Sequence, residues 1–468
     1  MFLQSSPYPE GRKNKMKMRS LLCGLAATSF AISTAISMAQ AGPLRAGAAK
    51  VDISPTPDMF PLKDMQQYGS LHDPIYARAL VLDNGSTKVA LISCDAIHFP
   101  FGDELIKAVT DELKIPATNV VLNATHDHNS PSGGGGFGPG GAGPKLPYFE
   151  ILKKGIVSAA HQANANLQPA RIGFGTGKAY INTNRDEKLG EGYHMGYNPD
   201  GPSDKTVAVL LISKPTGEPI AIYANYAVHS VVMFRNHTKD GQIQVTSDLG
   251  GWASNYVEDH FKGAVALWTM AAAGDQNPLF QTDYNQDAPD VHELGEGGWA
   301  VLDVLSRRVG EEIVRVTRSI HNTSDKAVLW ATDASVTCPG QKRAEPPQPG
   351  VPQAGWRGPA HVKMIDGDPV TIPLQLIMVN DIAIAAVSGE VFTEIAEHLK
   401  RDSLFDRTFM VTMLPNGVGY IPTDKAYLMP SEKAITNRIK PGCVEPSMVN
   451  AFTTMEKNYL PVFQAAQK

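Results

Sequence analysis

Proline and glycine, at 34 and 42 residues in a chain of 468, fall far short of the shares that mark disordered or fibrous chains. This excludes a collagen-like or low-complexity chain. After residue 41, no stretch is apolar for long enough to cross a bilayer as a helix. Basic patches interleaved with aromatics are missing as well. Residues 1–41 hold five basic and one acidic side chain of the 42 and 47 in the whole chain, so 37 basic face 46 acidic side chains in the remainder. An acidic chain without a basic patch is a poor partner for nucleic acid or an anionic membrane. No segment repeats at a fixed period, which excludes solenoids and propellers. Cysteine is scarce, with four residues. Cys94 lies in an apolar strand-like run and reads as a buried thiol. Cys338 and Cys443 lie in loop-like sequence and could pair in an oxidising compartment, although sequence does not say whether they are close.

What is present begins with an export signal. Arg12, Lys13, Lys15, Lys17 and Arg19 precede a weakly apolar run from Leu21 to Ala39, which ends in the small-x-small pattern Ala39-Gln40-Ala41. Residues 1–41 are therefore expected to be a signal peptide directing export to the periplasm or outside the cell. Cys23 follows Leu22 rather than a small residue, which argues against a lipid anchor. Residues 42–468 are expected to form one large catalytic domain. The whole chain, 43% hydrophobic and 19% charged, has ordinary globular composition.

Strands and helices are predicted to intermingle. Ala79–Leu82 and Val89–Cys94 flank Asn84-Gly85, a hairpin signal. Asn119–Asn123 is a short apolar strand that runs into Thr125-His126-Asp127-His128 and then a Gly/Pro-rich loop. Thr206–Ser213 and Pro219–His229 read as paired strands, as do Pro369–Val379 and Ile382–Val387. Helical spacing covers Asp103–Leu113, Tyr148–Asn166, Leu249–Asp259 and Trp299–Ser319. Gly274–Pro278 reads as a turn, and the Pro-rich segment Pro339–Pro359 as a loop. The fold class is α/β, or a mixed α+β arrangement, with mixed sheets and a ligand site at strand ends.

His126-x-His128 at a strand end can bring two imidazoles to one ion or substrate. The plainer account is a pair of surface histidines in a polar turn. His229 also ends an apolar strand, where a half-buried core histidine is the commoner explanation. Glu390 follows another such strand. A carboxylate there is costly to bury unless it is paired or bound to metal, although a helix N-terminus would also accommodate it. The recurrence of metal-capable residues after apolar strands is what favours a site.

These pieces, in this order, resemble the catalytic domain of neutral/alkaline non-lysosomal ceramidases. The resemblance is carried by Val51–Pro55, Tyr76–Leu80, Leu122–Pro131, Asn184-Arg185, Ala227–His229, Gly274–Pro278, Gly389-Glu390 and Gly419–Thr423, from about Ala46 to Ser447. It implies a Zn2+ ion held by His126, His229, Glu390 and Tyr420, with His128 as general acid/base or donor and Arg185 stabilising the oxyanion. Three departures accompany it. Asn277 stands where the family's proposed nucleophilic serine is expected; it can donate to an oxyanion or orient water but cannot form an acyl intermediate. Val444, before Glu445, stands where a substrate-side tyrosine is expected. The immunoglobulin-like domain that follows in the family is expected to be absent here. The loop after Pro131 is also rebuilt, as Gly133–Gly136 and beyond.

The leading expectation is a zinc-dependent hydrolase of carbon–nitrogen (amide) bonds, or of esters, that uses metal-activated water on a small or lipid-like substrate. A true ceramidase that cleaves N-acylsphingosine is the second reading. A catalytically idle, ligand-binding homologue is the third.

Overall fold

The computed structural model describes residues 41–64, 66–135, 143–189, 192–238, 241–281, 294–344, 363–428, 434 and 437–467. Apart from Ala41, the expected signal peptide lies outside the described residues.

Three mixed sheets share one design. In the first, strand Val120–Ala124 pairs in parallel with Lys88–Cys94, and the order continues antiparallel through Tyr76–Asp83, Arg45–Asp52 and Gln168–Pro169. In the second, Val265–Met270 pairs in parallel with Pro219–Tyr226, followed antiparallel by Thr206–Ser213, Arg171–Lys178 and Thr323–Ser324. In the third, Arg407–Val411 pairs in parallel with Ile382–Val387, followed antiparallel by Met364–Val379 and Leu329–Arg343. The near-continuous apolar runs of the central and parallel-paired strands, such as Lys88–Cys94, Val265–Met270 and Ile382–Val387, follow from burial on both faces.

Side chains of all three sheets meet in one apolar cluster that includes Leu80, Leu91, Tyr223, Leu267, Ile384 and Phe409. The outer faces are covered by helices. Gly102–Leu113 and Tyr148–Ala165 cover the first sheet, Asp248–His260 and Gly297–Ser319 the second, and Thr393–Asp402 and Val444–Ala466 the third. The parallel edges touch beyond their last residues. The Ala124 N–H donates to the Met413 carbonyl, and the Thr412 N–H to the Met270 carbonyl. The C-terminal ends of three parallel strand pairs therefore converge. The repetition is one of geometry and leaves no trace in the sequence.

Two local expectations change. Gln276–Pro278, read as the end of a turn, is a short strand paired antiparallel with Asn182–Asn184. Pro339–Arg343, read as loop, completes the strand Leu329–Arg343; residues 345–362 lie outside the described residues. Cys338 and Cys443 form a disulfide with a Cα–Cα distance of 5.8 Å, tying that strand to the start of the last helix. Cys94 is free and buried, and burial pushes its thiol well above the usual range. Among the described residues, no helix is long and apolar enough to cross a membrane.

Candidate active site

Each sheet sends one metal-capable side chain to the convergence point from the end of a parallel-paired strand. His126 follows Val120–Ala124, His229 follows Pro219–Tyr226 and Glu390 follows Ile382–Val387. His126 does not continue its strand. It takes the left-handed conformation, with φ 59°, which is uncommon for a residue with a side chain. That turn, rather than strand alternation, swings the His126 and His128 rings together, with centroids 4.6 Å apart. The segment then runs beside the one carrying His229, the His128 N–H donating to the Ser230 carbonyl.

Two tautomers are fixed by the main chain. A carbonyl can only accept, so His126 Nδ1–H donates to the Ile97 carbonyl at 2.7 Å and His229 Nδ1–H to the Gln276 carbonyl at 2.9 Å. In the neutral ring, each Nε2 is then a lone pair. His126 Nε2 lies 3.4 Å and His229 Nε2 3.2 Å from Glu390 Oε2. His128 Nε2 is 3.2 Å from His126 Nε2, and the ligand atoms of the three histidines all lie within 4.8 Å of one another. Burial holds His229 and His128 well below the usual imidazole range; Arg185 adds to this at His229, and His126 and His229 add to it at His128. Burial alone would raise the Glu390 carboxyl, but His126 and His229 outweigh it and hold the group well below the usual carboxylate range. The Nε2 atoms of the buried His126 and His229 and the buried Glu390 carboxylate thus face one another, with the half-buried His128 beside them. Such a donor set is satisfied by a cation.

Tyr420 reaches the same place through a two-residue parallel ladder, Glu390 opposite Tyr420 and Val391 opposite Ile421. Burial and the Glu390 charge push its phenol well above the usual range, so it is protonated. Its oxygen accepts from Arg185 Nη2 at 3.1 Å. Arg185 comes from the strand Asn182–Leu189. Its Nη1 donates to Asn277 Oδ1 at 3.0 Å. Gly274 lets this wall approach the Glu390 segment, since a Cβ there would lie 2.5 Å from the Glu390 carbonyl oxygen. All seven residues singled out in the sequence thus belong to one connected group.

Sequence reasoning assigned no role to Asp275. It is buried, and Oδ1 accepts from both the N–H and the hydroxyl of Thr393, while Oδ2 accepts from Asn184 Nδ2. It ties the Arg185 strand to the helix that follows Glu390. Its place in Gly274–Pro278 was visible, but its partners lie about a hundred residues away in either direction. Gln281 was also passed over, because it sits in featureless sequence. Val444, expected near the substrate, is instead fully buried in the apolar cluster outside the third sheet. Of the glycine-rich loop after Pro131, residues 136–142 lie outside the described residues.

A sequence model of the neutral/alkaline non-lysosomal ceramidases, N-terminal part, matches residues 50–289, just over half of the chain. Neutral ceramidase of Pseudomonas aeruginosa is 27% identical over 307 residues, which cover 58% of this chain and 43% of that protein. Neutral ceramidase A of Dictyostelium discoideum is 28% identical over 217 residues, covering 42% of this chain and 29% of that protein. The matched region thus spans less than half the length of these relatives. The crystal structure of the Pseudomonas aeruginosa neutral ceramidase superposes with a TM-score of 0.65 at 17% identity, over 89% of this chain and 74% of that one, which is a likeness of fold.

Proposed function

The chain belongs to the neutral/alkaline non-lysosomal ceramidase family, and from that premise we propose that it is a zinc-dependent hydrolase of amide bonds in small or lipid-like N-acyl substrates. The observation that carries the reading is the pair of imidazoles whose Nδ1 hydrogens are committed to main-chain carbonyls while both Nε2 atoms face the buried Glu390 carboxylate.

His126, His229, Glu390 and Tyr420 would hold the ion; two nitrogens with carboxylate and phenol oxygens suit zinc. The ion supplies Lewis acidity, which lowers the pKa of water and polarises a carbonyl. His128 takes the proton from the attacking water and delivers it to the departing amine nitrogen as the C–N bond breaks. Arg185 donates to the carbonyl oxygen as negative charge develops there. Water becomes the acyl hydroxyl, so the products are a carboxylic acid and an amine.

A second reading, hydrolysis of ceramide itself, is favoured by the relatives' names. The third, an idle ligand-binding homologue, is disfavoured by the retention of His126, His229, Glu390 and Tyr420 together. Export fits the N-terminal sequence, and the Cys338–Cys443 disulfide fits an oxidising compartment.

The test is a panel of N-acyl amides, ceramides, lactones and simple esters, assayed with and without a chelator alongside metal analysis. We expect amide hydrolysis that chelation abolishes and zinc restores, with about one zinc per chain. Hydrolysis that survives complete metal removal overturns the metal-dependent reading. Stoichiometric zinc without turnover of any substrate favours the idle homologue.

A further inference from the structure

Arg185 is buried, and a guanidinium can only donate. Nη1 donates to Asn277 Oδ1 at 3.0 Å, and Nη2 to the Gly274 carbonyl at 2.7 Å and the Tyr420 hydroxyl at 3.1 Å. Because the guanidinium cannot accept, Asn277 must turn its amide oxygen towards Arg185 and its Nδ2 away. That Nδ2 donates to Gln281 Oε1 at 3.0 Å. Asn277 and Gln281 are both buried, at 1% and 7% exposure. Arg185 Nε is also buried and has no hydrogen-bond partner among the described residues. A buried guanidinium N–H left open calls for something else to complete it.

We propose that Asn277 and Gln281 form a brace that holds Arg185 with its Nε–H presented to an acyl oxygen. The position where the family resemblance expects a nucleophile thereby positions the oxyanion donor. Serine could not do this in the same way. Its hydroxyl carries donor and acceptor on a single atom and reaches less far from the backbone, whereas the planar amide faces Arg185 with one end and Gln281 with the other. The brace rests on the hydrolase reading for its role in turnover but not for its existence.

The experiment uses the zinc-loaded full chain with octanoate as a carboxylate probe, measured by calorimetry, alongside hydrolysis of an N-octanoyl amide. Asn277→Ala should weaken octanoate binding and lower kcat, each about tenfold, the loss expected for one hydrogen bond to a charged group. Gln281→Leu should cost about threefold by loosening Asn277, and Gln281→Glu, which keeps an acceptor, should restore parental values. In an Arg185→Ala background, Asn277→Ala should add less than about twofold, because it acts through Arg185. Metal content and melting temperature should stay parental in the Gln281 variants.

An undiminished Asn277→Ala effect in the absence of Arg185 overturns the brace, since Asn277 would then act on the ligand directly. Equal values for Gln281→Leu and Gln281→Glu overturn it too, and they carry the test if Asn277→Ala does not fold. Absence of octanoate binding to the parent protein overturns the presentation of Arg185 to an acyl oxygen. Binding needs no turnover, so intact coupling without amide hydrolysis would reject the hydrolase reading and leave the brace standing.

Discussion

The two walls of the site are held by opposite means. On the histidine wall, His126 and His229 each give Nδ1–H to a main-chain carbonyl, that of Ile97 just after the strand Lys88–Cys94 and that of Gln276 in the short strand Gln276–Pro278, so backbone orients the rings. On the arginine wall, Arg185 is held largely by side chains, chiefly Asn277 and Tyr420, with one carbonyl from Gly274. A ring locked by a carbonyl is indifferent to the identity of neighbouring side chains. A guanidinium held by side chains changes its aim whenever one of them is replaced. Three of the four expected ligands, His126, His229 and Glu390, gather at the first wall, and Asn277, the departure from the family pattern, falls on the second.

The largest expected effect comes from breaking the histidine wall. His126→Ala should lose stoichiometric zinc, and turnover with it, as read by metal analysis and activity on the same sample; retained zinc would show that another group carries the ion. Arg185→Ala should keep its zinc and lose kcat by about a hundred- to a thousandfold, the range for removing an oxyanion donor. If zinc fell in parallel, the two walls would not be separable. Tyr420 stands between them, and Tyr420→Phe sharpens the division. A drop in metal affinity would assign the phenol to the first wall. An unchanged affinity with kcat down roughly ten- to a hundredfold would assign it to the second, as a partner of Arg185; we expect the metal affinity to fall.

The smallest effect concerns the joint between the arginine wall and the Glu390 segment. Burial pushes the Asp275 carboxyl up to about 6, with hydrogen bonds from Thr393 only partly offsetting it and Asp186 adding to the rise. A folded-state pKa raised above the unfolded value means that this contribution to stability is full below the ordinary carboxylate range and is lost as pH rises through about 6. Through this group the protein should lose on the order of 2 kcal/mol between pH 4 and pH 7. Asp275→Asn should flatten that part of the curve in urea unfolding at the two pH values, and an unaltered slope would count against the assignment.

The same contrast governs what could be read from sequence. Strands behind the histidine wall, such as Val120–Ala124 and Pro219–Tyr226, are apolar runs because they are buried on both faces, and they stand out. The arginine wall rests on Asn182–Leu189, the polar run NTNRDEKL, and on Gln276–Pro278. Neither has an apolar period; Asn182–Leu189 is a strand because the neighbouring Gly192–Asn198 pairs antiparallel with it, and Gln276–Pro278 because Asn182–Asn184 supplies hydrogen bonds from about ninety residues away. Arg171–Lys178, with glycine at alternate positions, was missed for a related reason: it lacks side chains on the face that the helix Gly297–Ser319 approaches.

The sequence by itself determined the chemistry available. It specified which apolar runs become buried strands, which imidazoles and carboxylates follow them, and that asparagine occupies position 277. These are local properties, set by residue type and spacing. Tertiary structure alone decided that three parallel strand ends meet, that His126 turns left-handed to face His229 and Glu390, and that the amide of Asn277 is engaged by Arg185 and Gln281. Those outcomes depend on which carbonyls and side chains come within about 3 Å of a polar group, and only the folded chain brings them there.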